Sequence, residues 1–147
     1  MHCKGLHRGS TAGGGALSTA ALLLLAACGG MKDAGAVADK FVDRYYVESD
    51  QDSALPLTTG IARMRLQEEL KLTREARQGN PGMQLRPVRV YYRRRSLDGS
   101  GAARAADYEL DIRPQGGGAL ERGAHVELSQ QGDGSWRVSN FSETQPR

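Results

Sequence analysis

Three spacings of apolar residues divide the chain. Residues 16–27, "ALSTAALLLLAA", are uncharged, mostly apolar and without a period. Residues 33–78 repeat apolar side chains every three or four positions, as an amphipathic helix does. Residues 88–143 alternate apolar and polar side chains between turns, as half-buried strands do.

The helical part predicts three elements. Over 33–49, Ala34, Val37, Ala38, Phe41, Val42 and Tyr45 share one face, with Lys40, Asp43, Arg44 and Glu48 largely opposite. Asp33 fits the N-cap. Over 50–60, "DQDSALPLTTG" predicts a break and a short helix, with Ser53 as cap, Ala54, Leu55 and Leu57 inward, and Gly60 closing it. Pro56 is tolerated in a first turn. A second long helix is expected over 61–78, drawing apolar contacts from Ile61, Met64, Leu66, Leu70 and Leu72, before "GNPG" ends it.

The alternating part predicts four strands. Val88, Val90 and Tyr92 oppose Arg89, Tyr91, Arg93 and Arg95. Ala106, Tyr108, Leu110 and Ile112 oppose Asp107, Glu109, Asp111 and Arg113. Ala124, Val126 and Leu128 oppose His125, Glu127 and Ser129. In the last strand Trp136 and Val138 face one way, and Arg137, Ser139 and Phe141 the other. "LDGSGA", "PQGGG" and "QGDG" are turns between them. Neither layer can bury its apolar side alone, so the fold class is α+β, with N-terminal helices packed on an antiparallel sheet. At 147 residues the chain fits one such domain.

The uncharged run lies outside that fold. As a helix, twelve residues reach about 18 Å, short of a hydrocarbon core of about 30 Å. Lys4 and Arg8 precede it with no acid, the layout of a signal peptide. The run ends in Leu25-Ala26-Ala27-Cys28, which resembles the lipobox of bacterial lipoproteins. The resemblance implies acylation of the Cys28 thiol and cleavage between Ala27 and Cys28. It also implies a membrane-anchored product, and the Gly29 that follows favours the outer membrane where there is one. Lipid on Cys28 is the one attached group expected; no motif calls for another cofactor or a metal. The expected organisation is a leader over 1–27, a tether over 28–32, a domain over 33–143 and a tail over 144–147.

"FVDRYYVESDQDSALPLTTG" and "GDGSWRVSNFSE" together resemble the nuclear-transport-factor-2-like superfamily. That resemblance implies a cone in which a curved four-stranded sheet wraps the helices. The superfamily holds enzymes, ligand binders and small lipoproteins, so it does not assign a function. "VDRYY" looks like helix one of ketosteroid isomerases, with Tyr45 or Tyr46 at the oxyanion position. That chemistry also needs a carboxylate base. Glu68 and Glu69 are the acids nearest its expected place, and they fall in a regular helix, so the match stops at one tyrosine.

Charge narrows the partners. The formal charge is +3 for the whole chain, and it falls to +1 when Lys4 and Arg8 leave with the leader. A near-neutral exported chain argues against nucleic acid. His125 is the sole histidine after the leader, and no cysteine follows Cys28, which supports no zinc site. The basic stretch holds Arg86, Arg89, Arg93, Arg94 and Arg95 with Tyr91, next to the acidic alternation of the following strand. Cross-strand pairing is the plain reading; a face for anionic lipid, cell-wall polymer or an acidic envelope protein is the other. The leading expectation is a non-catalytic binding or accessory module with an apolar pocket lined by Tyr45, Val90, Tyr92, Tyr108, Leu110 and Trp136. The alternatives are a small isomerase or hydratase using that pocket, and a structural envelope protein binding through Arg89, Tyr91, Arg93, Arg94 and Arg95.

Overall fold

The computed structural model describes residues 31–79 and 88–145. The leader, the lipobox with Cys28, Gly29 and Arg86 lie outside the described residues. The fold is α+β: three α-helices, then a four-stranded antiparallel sheet in the order β1-β2-β3-β4. Helix α1 spans Ala34–Val42, α2 Gln51–Ala54 and α3 Gly60–Gly79. Strands β1 to β4 span Val88–Asp98, Ala103–Pro114, Leu120–Gln130 and Trp136–Thr144.

The three-to-four spacing of α1 does what it predicts. Ala34, Val37, Ala38, Phe41 and Val42 are buried, and the helix lies across all four strands. The Asp33 carboxylate caps it, accepting from the Ala36 N–H at 2.6 Å. The single long helix expected over 33–49 instead widens into a π-helical segment, Asp43–Val47, where the Glu48 N–H donates to the Asp43 carbonyl. The wider turn leaves Tyr45 and Tyr46 both half-buried beside the core.

Several local expectations are corrected. The cap of α2 is Asp50, not Ser53: its carboxylate accepts from the Ser53 N–H at 3.0 Å. Gly60 opens α3 rather than closing the short helix; its φ of +53° suits a glycine between the two elements. On α3, Ala62, Leu66 and Leu70 are buried, while Ile61, Met64 and Leu72 are exposed. The small Ala62 lets the helix approach the sheet, and the i, i+4, i+8 line it starts sets the buried face. Met31, assigned to the tether, packs against the core.

Two bulges set the phase of the outer strands. On β4, Leu128 pairs with Val138 but Glu127 pairs with Asn140, so Ser139 is one residue extra. The extra residue flips the alternation, so Phe141 is buried with Trp136 and Val138 rather than facing out with Arg137. On β1, Arg94 pairs with Tyr108 and Ser96 with Asp107, which makes Arg95 the extra residue.

The two edges of the sheet differ. Thr58 bridges to Val138 in parallel, and the Thr59 N–H donates to the Val138 carbonyl at 2.8 Å, so part of the β4 edge is closed. Among the described residues, nothing pairs with the outer edge of β1.

Candidate functional site

The face of the sheet turned away from the helices gathers most of its charge. Alternation sends Asp107, Glu109 and Asp111 to that face of β2, and antiparallel register sets Arg93 opposite Glu109. The bulge delivers Arg95 to the same carboxylate: Arg93 and Arg95 lie 2.8 and 3.3 Å from Glu109 Oε2. The hydrogen bond from Arg93 holds the Glu109 carboxyl below its usual range. Asp111 is lowered in the same way by Arg113 at 2.5 Å, whose guanidinium also lies over the Tyr91 ring.

Register also aligns Asp107, His125 and Ser142 across three adjacent strands. His125 Nδ1 lies 2.7 Å from Asp107 Oδ1, its Nε2 3.8 Å from Glu127, and the Ser96 hydroxyl donates to Asp107 Oδ2 at 3.1 Å. Asp107, His125, Ser142 and Ser96 line an open groove of about 670 Å³ together with Arg93, Arg95, Glu109, Glu121, Arg122 and Thr144. Both signs of charge converge there with hydroxyl groups, which suits a polar partner bound by hydrogen bonds and ion pairs.

The helix side holds two tyrosine–carboxylate contacts. The Tyr108 hydroxyl donates to Asp39 Oδ1 at 2.8 Å, and Arg94 donates to Asp39 Oδ2 at 3.0 Å. Arg94 therefore faces the helices, apart from Arg93 and Arg95. Its guanidinium covers Gly35, where a Cβ would sit 2.7 Å from Nη1. At the other end of the interface the Tyr45 hydroxyl donates to Glu69 at 2.9 Å, and the Tyr45 ring stacks on Phe41. Burial first, then the nearby carboxylates, push the hydroxyls of Tyr45, Tyr46 and Tyr108 well above the usual tyrosine value. The Tyr46 hydroxyl is buried without a hydrogen-bond partner among the described residues.

The six residues expected to line a pocket belong to the packed interface. Tyr108, Leu110 and Trp136 are core, and Val90, Tyr92 and Tyr45 pack against them. Of the expected basic face, Arg89, Tyr91, Arg93 and Arg95 lie away from the helices. Sequence reading missed the groove, because the Asp107–His125–Ser142 alignment exists only once three strands pair. It also missed Glu69 as the partner of Tyr45, although Glu69 sits beside the buried Leu66–Leu70 line.

Among the described residues, no group of three or more His, Cys, Asp or Glu could hold a metal ion. Nor is any helix among them long and apolar enough to cross a membrane. No protein-family model matches the chain, and no curated protein matches it.

Proposed function

We propose that this is a lipid-anchored protein of a bacterial cell envelope, non-catalytic, which holds a protein partner on the open face of its sheet. The observation that carries the binding reading is the asymmetry of that sheet. One face is filled by α1 and α3, and the other bears the charged groove. The anchor reading rests on Leu25-Ala26-Ala27-Cys28 after an uncharged run, three residues before the packed Met31. Three residues extend at most about 11 Å, so an acylated Cys28 would keep the domain against the bilayer surface. Within this reading the fold is a nuclear-transport-factor-2-like cone. Helices preceding an antiparallel meander, with bulges that bend both outer strands, support that assignment.

The test uses the full chain in its own envelope, with a photo-crosslinking residue in place of Ser142 in the groove or Gln67 on the exposed side of α3. Crosslinks to a protein from position 142 and none from 67 are expected. Cys28→Ala should abolish fatty-acid labelling and release the protein from the membrane. No crosslink from 142 removes the groove reading, and labelling that persists in Cys28→Ala removes the anchor.

A second reading, a small isomerase or hydratase, draws on the contact between Tyr45 and Glu69. The Tyr45 hydroxyl would have to leave Glu69 to reach a substrate oxyanion. Failure of the full chain to isomerise an unsaturated ketone would remove it.

A further inference from the structure

Strand β1 ends the sheet, and its pairing with β2 is unbroken over seven residues, Val88 to Arg94, before the bulge at Arg95. That is about 23 Å of regular strand at 3.3 Å per residue. Its outer row of N–H and C=O groups meets no described strand, whereas the β4 edge is joined by Thr58 and Thr59. An open edge of this length is a template for another chain.

The side chains along the edge say which chain. Arg89 is exposed and makes no ion pair among the described residues, and Arg93 and Arg95 share the one carboxylate of Glu109. The outer face of the edge therefore has an excess of positive charge. The opposite face offers Val88, 46% exposed, with half-buried Val90 and Tyr92. A second copy of β1 fits poorly: antiparallel registers centred on Tyr91 or Tyr92 set Arg89 across from Arg93 or Arg95, and like charges directly opposite destabilise a pair. Arginines and a bulge repel most neighbours from an edge. They attract one kind, a strand with acids on one face and apolar residues on the other.

We propose that the outer edge of β1 accepts an extended segment of a partner protein as a fifth strand, with acidic residues four apart meeting Arg89 and Arg93 and apolar residues covering Val88, Val90 and Tyr92. The added strand would have the character of β2, "ADYELDI", which already satisfies the other edge of β1. Backbone hydrogen bonds supply the affinity and the alternation supplies the choice of partner. This rests on the partner-binding reading above, and adds to the open face a second docking place, the β1 edge, with the chemistry of the segment that fits it.

The probe is a nine-residue peptide copying Ala105–Arg113, titrated by fluorescence anisotropy into the full chain in detergent. Binding should saturate and weaken at least tenfold between low and high salt. Replacing the peptide's three acids with lysine, or Arg89→Glu in the protein, should each weaken it at least tenfold. Arg89 makes no side-chain hydrogen bond or ion pair among the described residues, so with Arg89→Glu circular dichroism should show an unchanged fold. Methylating alternate backbone nitrogens on one edge of the peptide should abolish binding, and hydrogen exchange should show new protection on β1. No binding, binding that survives N-methylation of each edge in turn, or protection on α3 or β4 instead of β1 overturns the proposal. If crosslinking from position 142 succeeds while the peptide fails, the edge proposal falls and the partner-binding reading stands.

Discussion

The two faces of the sheet share the same strands and do different work. On β2, Leu110 is fully buried and its neighbour Glu109 reaches out to two arginines. Removing apolar area from water stabilises a fold in proportion to that area. A solvated ion pair contributes little, because water screens it and two long side chains lose freedom. Stability therefore resides on the helix side, and the open side is left to vary its chemistry at small cost.

The sharpest way to break this contrast is Leu110→Ala. It should cost about 3 kcal/mol in urea denaturation, the usual range for a large-to-small change in a filled core. A loss much smaller than that would mean the interface is not filled.

Titration should separate the faces next. The buried hydroxyls of Tyr45, Tyr46 and Tyr108 are raised in the folded state. The folded protein then keeps protons that the unfolded chain releases above about pH 10. Stability from these groups is whole below that pH and falls as pH rises beyond it. Glu109 and Asp111 are lowered, so their contribution is present above about pH 4 and is lost as pH falls below it. The alkaline loss should be the steeper, and Tyr108→Phe should lessen it. Denaturant midpoints measured from pH 3 to 11 check both limbs. Glu109→Gln, the smallest change, should leave the midpoint at pH 7 unresolved from the parent and remove part of the acid limb.

The sequence made the α+β order and the α1 face legible, because helix and strand periods are local properties. Strand phase was legible only as far as the alternation ran unbroken. Phe141 looked outward because nothing near it announces that Ser139 is an extra residue, which the pairing with Glu127 and Leu128 alone defines. Arg94 was grouped with Arg93 and Arg95, yet neighbouring strand residues point to opposite faces, and Asp39 and Gly35 receive it on the helix side. On α3 the larger apolar residues drew attention, while the buried line began at the small Ala62. The groove could not be read at all, since its residues come from four strands.

The bridge between Thr58 and Val138 has a consequence for the order of assembly. The two residues stand 80 positions apart, and the strand that carries Val138 follows the other three in the chain. Closing so long a loop carries an entropic cost that is offset only when the strands between are already paired. The helices are therefore synthesised well before the surface that covers them, and they wait for β4 with Ala62 and Leu66 uncovered. Completion of the domain waits for β4, and a chain stopped before Trp136 would have its helices without their clasp.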